Sequence, residues 1–223
     1  MTIAANLSEV HAGIVPAEDL YAFLMEARLP KFDEFDAHVV ASILAISFGE
    51  AAAERQPLTS ATGLPYEHLD GLLAQVFPNA APWRFLAPAG ELERSADEAC
   101  LVDLLTSCAT SRTVFEGRLA AMIARRAQRP NHLWQDLGLH SRRDLSELMT
   151  RHFKPLATRN TQDMKWKKFF YRIICAEAAY SLCTAPSCGE CDDFDHCFGE
   201  ETGHSLLARA RRRHETGETL SRP

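Results

Sequence analysis

The sequence has no long uninterrupted hydrophobic run, which excludes the usual kind of membrane-spanning segment. Its longest apolar stretch runs from Val39 to Phe48 and contains two serines, whereas a helix needs about 20 apolar residues to cross a bilayer. The first fifteen residues contain no basic segment followed by an apolar one, so we expect no secretory signal. Both absences predict a cytoplasmic protein without membrane contacts, in a compartment that keeps thiols reduced.

β-Branched aliphatic residues are also scarce, which argues against a sheet. Valine and isoleucine together occur 14 times, against 32 alanines and 26 leucines, and this balance favours helices over strands. With 46% hydrophobic and 24% charged residues, the 223-residue chain has a globular composition. We predict an all-α fold: a single helical domain over residues 1–182, a cysteine-rich loop over 183–198, and a short basic helix with a polar tail over 199–223.

Hydrophobic periodicity places the helices of this predicted domain. Apolar residues recur at three- and four-residue steps along a stripe that leads toward Arg55, at Phe32, Phe35, Val39, Ile43 and Ile46. Further helices are predicted at about Ala17 to Arg28, in a short segment that ends near Phe77, at Ser95 to Ser107 and at Ser111 to Gln128. Another helix is predicted from a Ser141–Asp144 capping pair to a stop at Pro155, and the last one runs from Asp163 toward Leu182. The last helix is apolar enough to belong to the core.

Charge is distributed unevenly along the chain, although the net charge is only −6. Residues 1–100 carry 5 basic and 15 acidic side chains, and residues 101–223 carry 19 and 15. The segment from Arg125 to Arg172 has 12 basic and 4 acidic residues, and the segment from Cys183 to Glu201 has 6 acidic residues and no lysine or arginine. These segments are either solvated faces or docking surfaces for a charged partner.

Seven cysteines are present, and four of them crowd into fifteen residues near the carboxyl end. The four are Cys183, Cys188, Cys191 and Cys197, in the spacing CxxxxCxxCxxxxxC. The other three, at Cys100, Cys108 and Cys175, fall within helical patterns among alanine and leucine. A free cysteine in such a pattern is typically a small buried hydrophobe, so we expect these three to be structural rather than metal ligands.

Four thiolates on one short loop can surround a single metal ion or cluster. Disulfides are disfavoured in a reducing compartment. Structural zinc sites usually pair two short CxxC knuckles, whereas this array has one, and a plant-type two-iron ferredoxin has its fourth cysteine far downstream. The spacing therefore favours a four-iron cluster and leaves zinc as the alternative.

The surroundings of the cysteines are acidic, and one histidine adjoins them. Six carboxylates between Glu190 and Glu201 make the local field negative, which lowers the reduction potential of a cluster and opposes the approach of a free oxyanion. His196 precedes Cys197 directly, and its imidazole is either an additional metal ligand or a solvated loop side chain.

Three blocks of the sequence form a distinctive set. They are the run HLWQDLGL at 132–139, the segment Arg143 to Asn160 with its LMxxHF core, and the run MKWKKFFYR at 164–172 followed by the cysteine array that ends in Cys197-Phe198-Gly199. Together these blocks resemble the NifQ family of nitrogen-fixation proteins. The resemblance is firm over about residues 131–199 and loose over residues 1–130.

The resemblance implies a carrier protein rather than an enzyme. A NifQ protein is expected to hold molybdenum with iron and sulfide and to donate it for assembly of the iron-molybdenum cofactor of nitrogenase. When the cluster ligands of the family are carried over residue by residue, they fall on Cys183, Cys188, Cys191 and Cys197. The resemblance implies that these cysteines hold a four-iron, four-sulfide cluster that converts to a molybdenum–three-iron–four-sulfide form. The implied partners are the cofactor assembly scaffold, the nitrogenase iron protein and a molybdenum carrier.

Molybdate is a dianion, so the acidic cysteine loop alone is a poor place to capture it from solution. A basic edge of the preceding helix, consisting of Lys165, Lys168 and Arg172, offers compensating charge, while Lys167 points elsewhere. Lys168 lies about 22 Å before Cys183 if the helix continues at about 1.5 Å per residue, too far to ligate a metal there. We expect the basic edge either to dock an acidic partner or to be a solvated helix face.

Other functional classes find less support in the sequence. It has no phosphate-binding loop, no nucleophile elbow, no paired-histidine metal helix and no recognised nucleic-acid module. An iron-sulfur electron-transfer module and a zinc-stabilised interaction domain remain as the alternatives to a molybdenum donor.

Overall fold

The computed structural model describes residues 16–80 and 92–177, and within these ranges the regular structure is entirely helical. The α-helices are α1 (Ala17–Glu26), α2 (Glu34–Glu54), α3 (Leu58–Thr62), α4 (Tyr66–Val76), α5 (Ala96–Ser107), α6 (Val114–Ala127), α7 (Leu133–Asp136), α8 (Arg142–His152), α9 (Lys154–Ala157) and α10 (Trp166–Glu177), with a 3₁₀ turn at Pro78–Ala80. The all-α prediction is confirmed for this part of the chain. The predicted cysteine-rich loop and the basic tail lie outside the described residues.

Helix α2 is the central element of the core. Residues 39–47 are buried without interruption, so that the helix is covered on every side rather than along one stripe. The predicted stripe was therefore incomplete: Phe32 precedes the helix, and Phe32 and Phe35 are only partly buried against the core. The helix begins at the N-cap Asp33, whose side chain accepts the backbone N–H of Asp36.

By length and composition alone, α2 is the one helix of the described residues that qualifies as a membrane span. Its most apolar window has a mean hydropathy of 1.3, and 61% of that window is buried inside the protein. Helices α1, α3 and other elements pack around it, which is the environment of a core helix in a globular protein.

Side-chain caps set the starts of three other helices. Ser95 caps α5, and Ser141 with Asp144 forms a capping box at α8, as the sequence predicted. The helix predicted from Ser111 begins instead at Val114, because Thr113 and Glu116 form the capping box there. Pro155 stands in the first turn of α9, three residues beyond the end of α8.

Helix α10 belongs to the core, as its apolar sequence predicted. Phe170 is completely buried, and Met164, Trp166 and Phe169 are each 5% exposed. The helix is described as far as Glu177, so its predicted continuation toward Leu182 lies outside the described residues.

The expectation that the three scattered cysteines are buried was wrong for Cys100. Its side chain is exposed, because the buried positions of α5 are Glu98, Leu101, Leu104 and Leu105, and Cys100 falls outside that buried face of the helix. Cys108 is partly buried at the C-cap of α5 and packs against the core. The side chain of Cys175 lies outside the described residues.

Candidate functional site

The predicted cluster ligands lie outside the described residues. These are Cys183, Cys188, Cys191 and Cys197, together with His196. The described element closest to them in the chain is α10, which is followed through Glu177, six residues before Cys183. Helix α10 is therefore the described part of the chain nearest in sequence to the predicted metal ligands.

A buried ion pair fixes α10 to the rest of the domain. The ammonium of Lys167 donates to Oδ2 of Asp136 and to the backbone carbonyl of Arg129. The side chain of Asp136 is 3% exposed and that of Lys167 is 18% exposed, so water screens the pair weakly. The sequence predicted that Lys167 points away from the basic edge, and this contact confirms it.

The ion pair continues into a network between helices. Asp136 also accepts from the side-chain amide of Asn131 at 3.0 Å, and its backbone carbonyl accepts from Nε of Arg126 at 2.6 Å. Arg126, which is 1% exposed, forms a bidentate pair with Glu50 at 2.6 and 2.8 Å. The network therefore joins α2, α6, α7 and α10.

Glu50 illustrates how this network holds its charges. Burial acts to raise the pKa of Glu50, but the guanidinium groups of Arg126 and Arg129 outweigh it and hold the pKa below its ordinary value. The carboxylate is thus ionised at neutral pH and contributes to stability there.

The predicted basic edge is only partly solvent-facing. Lys168 and Arg172 are exposed and Lys165 is partly buried. Lys165 and Arg172 take part in interactions within the protein, so these side chains are not a simple row of solvated cations.

A second group of possible ligands comes together in the helical domain, and sequence reasoning missed it. Three possible ligand atoms, one from each of His38, His140 and Asp144, lie within 4.8 Å of one another, and all three residues are partly buried. His140 and Asp144 are four residues apart, a weak signal by itself. His38 is about one hundred residues away in the sequence, and only the packing of α2 beside the start of α8 brings it to them.

The local sequence explains how each ligand is positioned. His38 lies in the second turn of α2, His140 lies just before α8, and Asp144 occupies the third position of α8. The backbone N–H of Ser141 donates to Oδ2 of Asp144 at 3.0 Å, which fixes that carboxylate. The two imidazole rings have centroids 4.6 Å apart and are tilted by 38°.

Gly138 allows the segment that carries His140 to approach α2 closely. Its φ is +73°, in the left-handed region that favours glycine, and a Cβ there would lie 3.0 Å from the carbonyl oxygen of Ser42 and would overlap the side chain of Ile46. A larger residue at this position would push the segment away from His38.

The group opens onto a cleft of about 500 Å³. The cleft is lined by Tyr21, Met25, Asp33, Glu34, Phe35, His38, His140, Asp144 and Arg151. On one wall the hydroxyl of Tyr21 lies 2.9 Å from Nδ1 of His38. The lining thus combines two imidazoles and a phenol with both acidic and basic side chains.

Arg151 is the only lysine or arginine of that lining, and carboxylates surround it. It pairs with Asp33 at 2.9 Å and with Glu147 at 3.0 Å, and it lies 4.7 Å from the centre of the Phe35 ring. The Asp36 backbone N–H lowers the pKa of Asp33, burial opposes this effect, and Arg151 adds to it. The positive charge of Arg151 is therefore already compensated within the protein.

Comparisons with known proteins give one consistent relationship. The NifQ family model matches residues 39–199. The chain is 42% identical over 173 residues to "Protein NifQ homolog" of Sinorhizobium fredii, covering 77% of this chain and 75% of that protein. It is 40% identical over 166 residues to "Protein NifQ" of Rhodobacter capsulatus, covering 74% of this chain and 91% of that protein.

A third relative matches a shorter part of the chain. "Protein NifQ" of Azotobacter vinelandii is 42% identical over 83 residues, which is 37% of this chain and 43% of that protein. No solved structure matches this chain. The family match extends well upstream of the residues that carried the resemblance in the sequence, and it includes His140 and Asp144 of the histidine group. On these matches, the chain belongs to the NifQ family of nitrogen-fixation proteins.

Proposed function

We propose that this protein is an iron-sulfur carrier that binds molybdenum in a mixed molybdenum-iron-sulfur cluster and donates it for biosynthesis of the nitrogenase iron-molybdenum cofactor. The observation that carries the proposal is the array Cys183, Cys188, Cys191 and Cys197 in a chain of the NifQ family. Four closely spaced thiolates suit iron, molybdenum and sulfide clusters, since sulfur donors favour soft metals. On this proposal the protein is not an enzyme, and molybdenum is its cargo.

The described helices support a role for the domain as a rigid base for the cysteine loop. Helix α10 leads toward Cys183, and the buried Lys167–Asp136 pair fixes that helix to the core. A cluster that must be loaded and unloaded needs ligands that start from a fixed position. The proposal assigns the four cysteines to the cluster and keeps His196 as either an additional metal ligand or a solvated loop side chain.

The proposed partners are the cofactor assembly scaffold, the nitrogenase iron protein and a molybdenum carrier, all in the cytoplasm. Because the cysteine loop is acidic, the proposal has molybdenum arrive from a carrier or become reduced at the cluster, with the basic edge docking an acidic partner. The double charge reversal K165E/K168E is expected to slow transfer of molybdenum to the scaffold. If molybdenum loading and transfer are unchanged in that variant, these lysines do not dock the partner.

The ligand assignment is tested by removing thiols one at a time. C183A, C188A, C191A and C197A are each expected to lower iron and sulfide content sharply in anaerobically isolated protein, while circular dichroism retains most of the helical signal. C100A, at an exposed position of α5, is the matched control, and C175A is a second one. An equal loss of iron from either control would show that the ligand set is wrong.

The same samples separate the proposed donor from the two alternatives. An electron-transfer module keeps its metals when mixed with an acceptor scaffold, whereas a donor loses molybdenum to it. A zinc-stabilised interaction domain gives colourless protein, because zinc has no visible charge-transfer bands with thiolates.

A further inference from the structure

We propose that His38, His140 and Asp144 bind one divalent first-row transition-metal ion at a site separate from the cysteine array. The site goes beyond the proposed function, since it uses no cysteine and belongs to the described helical domain. Its three ligand atoms come from α2, from the connection between α7 and α8, and from the first turn of α8.

The donor set identifies the class of ligand. Two imidazoles with one carboxylate suit zinc and iron(II), and three protein ligands leave at least one coordination position for water. In a tetrahedral ion with metal–ligand bonds of about 2.0–2.1 Å, neighbouring ligand atoms are about 3.3 Å apart. In this structure the three ligand atoms lie within 4.8 Å of one another. Metal binding therefore requires the distance between any two of them to shorten by about 1.5 Å at most, which small side-chain rotations supply.

Neighbouring hydrogen-bonding groups orient two of the ligands as in known metal sites. The Tyr21 hydroxyl lies 2.9 Å from Nδ1 of His38, and the Ser42 hydroxyl lies 3.4 Å from the same nitrogen. A metal-binding imidazole is commonly held by a hydrogen bond of this kind, which fixes the plane of the ring. The Ser141 N–H does the same for the Asp144 carboxylate, whose oxygens have further lone pairs for a metal.

The charge of the cleft favours a cation over an oxyanion. Asp33, Glu34 and Asp144 line it, against Arg151, which already pairs with Asp33. A free anion such as molybdate would meet a negative field, whereas a divalent cation would relieve the repulsion among the carboxylates. The Asp144 carboxylate is the charged ligand in this assignment.

Zinc binding to the full-length chain tests the site. The cysteines are replaced together (C183S/C188S/C191S/C197S), so that thiolates do not compete, and zinc is titrated against a chromophoric chelator. We expect one zinc ion per chain. H38Q and H140Q in this background are expected to weaken binding by at least tenfold, whereas H68Q, at an exposed position of α4, leaves it unchanged.

D144N is a further variant, chosen because it preserves folding. Its side-chain oxygen can still accept the Ser141 N–H, so the cap of α8 is kept while the anionic ligand is lost. We expect a weaker zinc affinity with an unchanged circular dichroism spectrum. If the four-cysteine variant does not fold, the same histidine and Asp144 variants are compared in anaerobic protein with intact cysteines, and the zinc bound in addition to the cluster metals is counted.

The outcomes are decisive for the site and independent of the cysteine chemistry. Zinc affinity in H38Q and H140Q equal to that of H68Q would overturn the proposal, as would binding of molybdate but not zinc. A chain that binds zinc through the histidines yet contains no iron-sulfur cluster would sustain this site and refute the proposed function.

Discussion

Replacing Lys167 by methionine tests how α10 is held. The substitution removes the cation from Asp136, whose side chain is 3% exposed, and leaves the Asn131 amide at 3.0 Å as its remaining side-chain hydrogen-bond donor. Breaking one partner from a buried ion pair costs about 3–5 kcal/mol. Because Lys167 is 18% exposed and the Asn131 bond survives, we expect about 3 kcal/mol, the lower end of that range.

The opposite substitution, D136N, is expected to cost less. It leaves the Lys167 ammonium with access to water, so we predict about 1–2 kcal/mol. The destabilisation of the double variant should be less than the sum of the two single effects, because the carboxylate that lost its Lys167 partner is absent from it.

Urea unfolding followed by circular dichroism measures these differences, with K168M as the matched control. Lys168 is exposed beside Lys167 in sequence, and K168M should change the free energy of unfolding by less than about 0.5 kcal/mol. A loss of about 3 kcal/mol lowers the midpoint of thermal unfolding by roughly 6–12 °C in a protein of this size. Equal stabilities of K167M and K168M would refute the argument that the buried pair anchors α10.

Three further predictions concern other positions in the helical domain. G138A should lower the free energy of unfolding by more than about 1 kcal/mol in urea, because its φ is +73° and a Cβ overlaps Ile46. E50Q should reduce the free energy of unfolding at pH 7 but make it fall less steeply on acidification. The pKa of Glu50 is lowered in the folded protein, so the stabilisation by its carboxylate disappears as the pH falls through that pKa. Burial raises the pKa of Glu98, so protonation of this carboxyl in the folded protein offsets part of the loss of stability in acid. E98Q should therefore make the free energy of unfolding fall more steeply on acidification. Identical pH profiles for these two variants, or a stable G138A, would contradict the respective assignments.

The helical elements were largely predictable because local signals specify them. The Ser141–Asp144 capping pair and the apolar spacing of α10 each mark an element from a few neighbouring residues. The complete burial of α2 was not predictable, since a stripe describes one face and burial on all sides depends on every element that packs around it. Cys100 shows the same limit, because the alanine and leucine residues around it in the sequence suggested burial, whereas the helix face on which it lies is exposed.

The two candidate sites differ in how far sequence reveals them. The cysteine array is contiguous, so its spacing alone suggests a metal centre, and its placement stays a prediction. The histidine group depends on a contact between residues about one hundred positions apart, which no local pattern encodes. The partners of Lys167 were hidden for the same reason, although helical periodicity did separate it from the basic edge.

On the proposed function, the four clustered cysteines hold an iron-sulfur core that accepts molybdenum. Iron, molybdenum and acid-labile sulfide are counted per chain in protein isolated without oxygen. We expect brown protein with about four sulfides per chain and with iron alone or iron plus molybdenum, all of which are lost in the four-cysteine variant. Colourless protein that contains only zinc, or no metal at all, would contradict it.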